Sequence, residues 1–503
     1  MNLIELFQPS LKGRREKPAL IYGEQTYTFG DLDAKSDAIA WALKKRFNIR
    51  KGDRLSMFIG NCPELVLYYL AAHKLGAIVV PFNTLYRDHE LSYLLEDASP
   101  RVLLTDRERH EILKPLKPKL GFIEAIYLVD APATAETLCF SELLADAAPP
   151  FDFGHVSGDD GALMIYTSGT TGRSKGALLS HHALASNIVA LLHCWQWTER
   201  DRFLLALPMF HLHGLGNGLH GAMASGCTTF LLPKFKAEDV LQVLNQRECT
   251  LFFGVPTMYE RMLEAAAKGA TVPTNMRLYV SGSAPLSVDT FSRFREVFKH
   301  EILERYGMSE TAMITSNPYS GVRKQGSVGK PLPGIQVRIA TPEGTVAAPG
   351  EVGEIQVKGP NLLKEYWKQP EKTAEAYQDG WFKTGDLGFC DTDGYISISG
   401  RGKELIISGG FNVYPQEIIN CLCNHPDIVE AAVIGVPDKT HGELVKAYVV
   451  SKSSSLTPDA VIDYCKSHLA RFKVPKSVRF LEKLPRNAMG KLLLKELPDR
   501  ERI

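Results

Sequence analysis

Short apolar runs bounded by Gly or Pro alternate with longer helical patterns between about residue 50 and residue 340. The runs RLSMFIG, GAIVVPFN, RVLLTD, TLFFGVP and RLYVSGSAP predict strands that are buried on both faces. The segment PELVLYYLAAHKLG, between the first two runs, predicts a helix that ends at a glycine. Strands and helices in this alternation are typical of a parallel sheet covered by helices. We therefore predict an α/β fold for most of the chain.

The pattern changes in the last third of the chain. From Ile335 onward, short segments such as GEIQVKG and GYISISG predict a small antiparallel module. After Arg401, strand and helix patterns alternate over about 100 residues, the size of a compact α+β domain. A chain of 503 residues with 45% hydrophobic composition can bury more than one core. We predict a large N-terminal domain of parallel-rich sheets with helices plus the antiparallel module, residues 1–400, and a small α+β C-terminal domain, residues 401–503.

Charge and cysteine content exclude several classes of protein. The 58 Lys and Arg residues nearly balance the 57 Asp and Glu residues, so no overall charge favours binding to nucleic acid or to an anionic membrane. No apolar run approaches the roughly 20 residues that span a bilayer, and the first residues lack the order of a signal peptide. The nine cysteines include no CxxC pair, which indicates a reduced protein without structural zinc. We predict a cytoplasmic protein with no integral membrane segment.

The segment YTSGTTGRSKG, Tyr166 to Gly176, follows the strand-like run ALMIY and contains three glycines and five Ser or Thr residues. Glycines allow the backbone to approach a ligand closely, so that successive N–H groups converge on phosphate oxygens, and Lys175 adds a positive charge. A cluster of this composition after a strand is often only a loop. The spacing also differs from a GxxxxGK[ST] P-loop, because Lys175 follows the second glycine by three residues. The favoured ligand is a polyphosphate.

The order of residues in this segment resembles the phosphate loop of the adenylate-forming enzymes, which include acyl-CoA synthetases, luciferases and the adenylation domains of peptide synthetases. Six further segments resemble core motifs of that family, in the family's order, and the resemblance spans nearly the whole chain. They are LPMFHLHGL (207–215), SGSAPL (281–286), ERYGMSET (304–311), KTGDLG (383–388), GRGKELIISGGFNVYP (400–415) and PRNAMGK (485–491).

The resemblance implies an ATP-dependent acid–thiol ligase that forms an acyl-CoA through an acyl-adenylate and releases AMP and pyrophosphate. ATP, Mg²⁺ and coenzyme A are the implied cofactors, and a small carboxylic acid is the implied substrate. The family's C-terminal domain rotates about a hinge in GRGKE between the two half-reactions, so we expect a mobile C-terminal domain with Lys403 at the hinge. A non-catalytic nucleotide-binding protein of the same fold is expected to have lost Lys491 or Glu310, and the sequence contains both.

The resemblance also implies roles for single residues. Lys491 is the implied adenylation lysine, Glu310 the Mg²⁺ ligand and His211 a further catalytic residue, whereas Asp386 and Arg401 are implied contacts of the ribose. Taken alone, each motif has an ordinary explanation: a solvated lysine near a chain end, a helix cap at Ser309 and Glu310, or a turn at the TGD segment. The remaining implied nucleotide and CoA contacts are Thr167, Ser168, Gly169, Thr170, Thr171, Gly172, Lys175, Ser283, Ala284, Pro285, Arg305, Tyr306, Gly307, Met308, Ser309, Ser408, Gly409 and Gly410.

The acid substrate is the least determined feature. Several segments, among them HLHGL and ERYGMSETAMITSNPY, resemble malonyl-CoA synthetases more than the long-chain enzymes. A buried second carboxylate requires a partner, and an arginine can meet it with two hydrogen bonds. We predict that Arg277 binds this carboxylate, assisted by His213 and Ser283, and that the acid is malonate. The alternatives are a short, medium or aromatic monocarboxylate, with Arg277 bracing the fold.

Overall fold

The structure is a computed structural model that describes residues 1–145, 148–149, 151–167, 174–408, 411–438, 442–487 and 492–498, with the side chains of residues 403 and 412 left out. We call these the described residues. Their α-helices are α1 (Leu3–Leu11), α2 (Phe29–Phe47), α3 (Pro63–Lys74), α4 (Asp88–Ala98), α5 (Arg107–Leu113), α6 (His181–Cys194), α7 (His220–Ser225), α8 (Ala237–Gln246), α9 (Pro256–Ala267), α10 (Val288–Phe298), α11 (Pro370–Glu375), α12 (Pro415–Cys423) and α13 (Pro458–His468).

The strands of the first three hundred residues are mostly short and buried. They are β1 (Pro18–Tyr22), β2 (Gln25–Thr28), β3 (Arg54–Phe58), β4 (Ile78–Pro81), β5 (Val102–Thr105), β6 (Ala125–Leu128), β7 (Leu138–Cys139), β8 (Gly161–Thr167), β9 (Lys175–Ser180), β10 (Arg202–Leu205), β11 (Thr228–Leu231), β12 (Leu251–Gly254) and β13 (Leu278–Ser281).

The later strands include the longest ones. They are β14 (Leu303–Met308), β15 (Ala312–Ser316), β16 (Lys330–Pro331), β17 (Gln336–Ala340), β18 (Gly353–Lys358), β19 (Glu365–Tyr366), β20 (Tyr377–Gln378), β21 (Trp381–Cys390), β22 (Ile396–Arg401), β23 (Ile406–Ser408), β24 (Phe411–Val413), β25 (Ile428–Asp438), β26 (Gly442–Ser451) and β27 (Ser477–Phe480).

Two large sheets form the framework of the N-terminal part. One has the strand order β16-β15-β14-β13-β12-β10-β11-β1-β2, and the other has the order β19-β9-β8-β4-β3-β5-β6-β7. The central strands of both sheets run parallel, and the antiparallel pairs lie towards the edges. Strands such as β12 are apolar at every position because helices cover both faces of the sheet. The predicted α/β fold is confirmed.

The helices turn one apolar face towards these sheets. In α8, the buried residues Ala237, Val240, Leu241 and Leu244 recur at helical spacing, while Glu238 and Asp239 between them are exposed. No helix among the described residues is both long enough and apolar enough to cross a lipid bilayer.

A smaller antiparallel sheet follows, with the order β17-β18-β21-β20 and β22 paired to β21. The last sheet, β24-β23-β26-β25 with β27 beside β26, has its own hydrophobic cluster together with α12 and α13. The chain passes from one sheet to the other between Arg401, the last residue of β22, and Ile406, the first of β23. The chain therefore ends in a small α+β unit, as the pattern after Arg401 predicts.

Candidate active site

Two predicted motifs meet at the end of β8, together with Tyr366, which belongs to neither. The Oε1 atom of Glu310 accepts hydrogen bonds from the Thr167 hydroxyl, at 3.2 Å, and from the Tyr366 hydroxyl, at 3.2 Å. Lys175 lies opposite Thr167 in the antiparallel pair of β8 and β9, and its ammonium is 4.9 Å from the centre of the Tyr366 ring. The structure therefore brings a hydroxyl, a lysine and a carboxylate together from segments that are far apart in sequence.

The Glu310 carboxylate is suited to a cation. Only 6% of the residue is exposed, and burial raises the pKa of its carboxyl group. Among the described residues, no Lys or Arg forms an ion pair with Glu310, and the side chains that donate to its carboxylate are the neutral Thr167 and Tyr366 hydroxyls. Mg²⁺ prefers oxygen ligands and usually takes one or two carboxylates together with phosphates and water. The described residues contain no cluster of three or more potential ligands, so a metal here would share Glu310 with a phosphorylated ligand.

A second polar cluster contains the predicted ribose contacts. Asp386 on β21 pairs in register with Arg401 on β22, and the Nε atom of Arg401 is 3.2 Å from Oδ1 of Asp386. The Tyr306 hydroxyl donates a hydrogen bond to the other oxygen, Oδ2. Asp386 is buried, whereas the Arg401 side chain is about half exposed. A carboxylate held in this way can accept hydrogen bonds from a diol.

The predicted nucleotide contacts Ser283, Ala284 and Pro285 lie in the turn that follows β13. Ser283 has φ = +70°, an uncommon conformation for a residue other than glycine that is often found at functional sites. The turn is supported by Glu304, whose Oε1 accepts a hydrogen bond from the Leu286 amide at 3.3 Å. Burial raises the pKa of Glu304 to about 8. Glu304 is not among the site residues that the sequence predicts.

The second histidine of HLHGL, His213, begins a short π-helical segment, His213–Leu219, of the kind that often occurs at functional sites, and His211 lies just before it. The Nδ1 atom of buried His213 is 3.3 Å from the Ser283 hydroxyl, and the backbone amide of His213 donates to Nδ1 of His211 at 3.2 Å. Burial, with the nearby charges of Arg305 and His211, holds the pKa of His213 well below its ordinary value. His213 is therefore neutral near pH 7, and its Nε2 atom has no hydrogen-bond partner among the described residues.

Arg305 on β14 has free donors beside this group. Its residue is 3% exposed, and neither Nε nor Nη2 has a partner in the part of the chain that the structure describes. Burial lowers the pKa of Arg305 to about 9. The guanidinium lies against Gly282, where an added Cβ would be only 2.5 Å from its Cζ atom. Arg305 therefore places a buried cation with two unpartnered nitrogens, among the described residues, close to Gly282 and within electrostatic reach of His213.

The prediction that Arg277 binds the substrate is wrong. Its Nε and Nη2 atoms are both 2.7 Å from the carboxylate of Asp201, and Nη1 and Nη2 donate to the Trp195 and Gln196 carbonyls at 3.0 Å. The physical reason is the direction of the strand. Arg277 precedes β13 and SGSAP follows it, so roughly 13 Å of strand separates them. Ligands of parallel sheets bind at the carboxyl ends of the strands.

We expect Arg277→Ala to lower the free energy of unfolding by about 2–4 kcal/mol, because Asp201 would lose the partner of a largely buried ion pair. Urea denaturation of wild type and variant measures this change. The ratio of kcat/KM values for two acids should stay at the wild-type value. A change in that ratio without a loss of stability would indicate that Arg277 contacts the substrate.

The other predicted residues are distributed as follows. Met308 and Ser309 lie half-buried between Arg305 and Glu310, and Gly307 is so tightly packed that a Cβ would lie 2.1 Å from the Ala312 carbonyl oxygen. Ser408 is buried at the end of β23 in the C-terminal sheet. The residues that lie outside the described part, and for which the roles stay predictions, are Ser168, Gly169, Thr170, Thr171, Gly172, Gly409, Gly410, Lys491 and the side chain of Lys403.

An α/β chain with a phosphate-type loop, a buried carboxylate suited to a cation and a carboxylate suited to a diol has the features of a nucleotide-binding enzyme. Residues 7–367 match the family described as AMP-binding enzyme, and residues 417–491 match the AMP-binding enzyme C-terminal domain. The chain belongs to the AMP-binding enzyme family.

Similar proteins are known along almost the whole length of the chain. The long-chain-fatty-acid–CoA ligase of Bacillus subtilis (strain 168) is 34% identical, covering 97% of this chain and 92% of that protein. The mitochondrial malonate–CoA ligase ACSF3 of Mus musculus is 35% identical, covering 95% and 87%. The crystal structure of ATP-bound MatB from Rhodopseudomonas palustris has a TM-score of 0.90 at 39% identity, covering 98% and 97%. These similarities confirm the predicted family and the predicted enzyme class, an AMP-forming acid–CoA ligase.

Proposed function

We propose that this CoA ligase activates malonate, forming malonyl-CoA through malonyl-adenylate. The observation that carries the proposal is Arg305, a buried guanidinium with two unpartnered nitrogens beside Ser283 and His213. Leaving such a charge unpaired when the substrate binds is costly, whereas a second carboxylate satisfies it with a bidentate contact. A malonate–CoA ligase is among the similar proteins, and so is a ligase for long-chain fatty acids. The free donors of Arg305 favour the dicarboxylate.

The reaction needs two steps because a carboxylate has no usable leaving group. Attack of a malonate oxygen on the α-phosphate of ATP expels pyrophosphate, and the thiol of CoA then displaces AMP from the adenylate. In this proposal Thr167 and Lys175, which pair across β8 and β9, hold the departing phosphates, and Asp386 and Arg401, which pair across β21 and β22, hold the ribose. In the tautomer in which Ser283 donates to Nδ1, His213 offers its Nε2 proton to the acid. Holding both reactants in one geometry supplies much of the rate enhancement.

Magnesium belongs to the proposal as the cation that Glu310 would hold. Its donor chemistry fits, because the carboxylate is buried and its described partners are neutral hydroxyls. When bound, Mg²⁺ neutralises charge on the phosphates of the nucleotide. Thr167 and Tyr366 would orient the carboxylate through the hydrogen bonds that they already donate to it.

The division into domains of residues 1–400 and 401–503 is also part of the proposal, as is rotation of the second domain about Lys403. In this scheme Lys491 acts in adenylate formation, and Ser408, Gly409 and Gly410 line the path of the thiol. The location is proposed to be the cytoplasm. The nine cysteines are free, which suits a reducing compartment.

A substrate panel tests the proposal. With ATP, Mg²⁺ and CoA, the enzyme should release AMP and pyrophosphate, and kcat/KM should be higher for malonate than for acetate, propionate, octanoate or benzoate. Those monocarboxylates leave the Arg305 donors unpaired. Release of ADP would contradict adenylate formation. A maximum at a monocarboxylate would contradict malonate while leaving the ligase class intact.

A further inference from the structure

Helix α4 contacts both ends of the connection between β8 and β9. The Asp97 carboxylate accepts a hydrogen bond from the Tyr166 hydroxyl at 2.5 Å, and the Tyr93 hydroxyl donates to the Ser174 carbonyl at 3.1 Å. Residues 93 and 97 are four apart in the helix and therefore lie on the same face, one turn from each other. Tyr166 lies one residue before the end of β8, and Ser174 lies directly before β9.

The two strand ends are also paired to each other. Tyr166 lies opposite Gly176, and Thr167 lies opposite Lys175. The ends of β8 and β9 therefore contact each other, and each of them also contacts the same face of α4. A shift of α4 would change the position of both strand ends. These contacts set the distance between Thr167 and Lys175 and the directions of their side chains. The two residues are the described ends of the predicted phosphate loop.

Two further residues hold the end of α4, Arg54 of β3 and Trp367, which also contacts β9. The Nε and Nη2 atoms of Arg54 donate to the Ala98 and Ser99 carbonyls at the end of the helix, at 2.8 and 3.0 Å. The Trp367 indole donates to the Asp97 carbonyl at 3.2 Å, and its backbone amide donates to the Gly176 carbonyl at 2.7 Å. A Cβ added at Gly176 would lie 2.9 Å from the Met164 sulfur and 3.3 Å from the Trp367 Cβ, so a larger residue here would require Met164 to shift.

Tyr166 is buried in this contact, whereas Asp97 is half-buried. Tyr166 is 8% exposed, and its ring stacks on that of Phe82 with the centroids 6.2 Å apart. Burial and the Asp97 carboxylate raise the pKa of Tyr166 far above its ordinary value, so the phenol keeps its proton and remains a donor. Removing the acceptor would leave a buried hydroxyl without a partner, which costs more than a surface hydrogen bond.

We infer that Asp97 and Tyr93 are positioning residues for ATP, which act through Tyr166 and Ser174 on the two ends of the phosphate loop. The inference rests on the proposed function, because it assumes that this loop binds the phosphates of ATP. It adds a role for α4, which belongs to none of the recognised motifs. The residues act on the geometry of Thr167 and Lys175 and do not themselves touch the reacting atoms.

Binding of ATP in the absence of acid, measured by isothermal titration calorimetry, tests this inference. Asp97→Ala should raise the Kd for ATP about tenfold or more, and Tyr93→Phe about fivefold, as expected for a buried unpaired hydroxyl and for one lost hydrogen bond. Asp97→Asn retains an acceptor for Tyr166 and should restore most of the affinity. Glu96→Ala, on the exposed side of the same helix, is the matched control and should bind like the wild type.

Kinetics separate positioning from general damage to the fold. The KM for ATP should rise in Asp97→Ala, while the KM for the acid and the rate of CoA acylation from supplied acyl-adenylate stay within about twofold. The double variant Asp97→Ala/Tyr166→Phe should lose no more affinity than Asp97→Ala alone, because both changes remove one contact. An unchanged Kd for ATP in Asp97→Ala, or equal rises in both KM values, would overturn the inference. Preference for another acid would contradict only the malonate proposal, whereas absence of ATP binding by the wild type would overturn both.

Discussion

Replacing Arg305 with alanine is expected to lower kcat/KM for malonate roughly 30-fold to several thousand-fold. This factor corresponds to a loss of about 2–5 kcal/mol of transition-state stabilisation, the scale for truncating one partner of a buried charge pair. The reason is the isolation of its guanidinium, whose Nε and Nη2 atoms have no partner among the described residues. For propionate, which has the same carbon count but lacks the second carboxylate, kcat/KM should fall far less or rise. Initial rates of pyrophosphate release with each acid measure both values.

Arg305→Met is the matched variant, because it keeps an unbranched side chain of similar length beside Gly282 and removes the charge. It should lose malonate activity as Arg305→Ala does, without opening a cavity against Gly282. Arg277→Ala provides the complementary control, since it removes an arginine that Asp201 already satisfies. Equal losses of kcat/KM for malonate and for propionate in both Arg305 variants would show that Arg305 supports the fold or the nucleotide site. Arg305 would then not bind the second carboxylate.

Much of the fold could be predicted because its determinants are local. The run TLFFGVP became β12, RLYVSGSAP became β13 and the turn after it, and PELVLYYLAAHKLG became α3. Each of these patterns depends only on which neighbouring residues must be buried together. The order of the strands could not be predicted in the same way. The sequence does not show that β10 lies between β11 and β12, because that order depends on contacts between residues far apart in the chain.

The two arginines show where prediction of the site failed. Arg277 and Arg305 are both near SGSAP, the first in sequence and the second in space. Strand direction distinguishes them, because Arg277 lies before β13 and therefore at the opposite edge of the sheet from the turn. Arg305 reaches the turn from the neighbouring strand β14. Its missing partners could be recognised only in three dimensions, since whether a guanidinium is satisfied depends on every element packed around it.

Other parts of the site had a stronger local signal. Asp386 and Arg401 were predicted as ribose contacts from two motifs, and the pairing of β21 with β22 places them side by side. By contrast, no local pattern marks Asp97, because its partner Tyr166 is 69 residues away and a helix such as α4 commonly carries an exposed acid. The burial of Glu304 was equally hidden, since charged residues are seldom buried and nothing in ERYGM distinguishes its two charges.

Lys491→Ala is expected to reduce kcat for adenylate formation by about 100- to 1,000-fold, the usual effect of removing one preorganised donor from a site of developing charge. In the proposed reaction its ammonium bridges the attacking carboxylate and the α-phosphate, and that charge develops only in the first step. Formation of malonyl-CoA from supplied malonyl-adenylate should therefore stay within about twofold of the wild-type rate. Malonate-dependent exchange of pyrophosphate into ATP measures the first step alone, and thioester formation measures the second.

Lys495→Ala is the matched control, because it removes the same charge four residues further along the tail from a lysine that belongs to no recognised motif. Both half-reactions of this variant should proceed at wild-type rates. In the two-step scheme, Lys491 is in the active site in one domain orientation and away from it in the other. The scheme therefore predicts that Lys491→Ala loses the first step selectively. Equal losses in both steps would mean that Lys491 supports the C-terminal domain, or that the domain does not rotate between the two reactions.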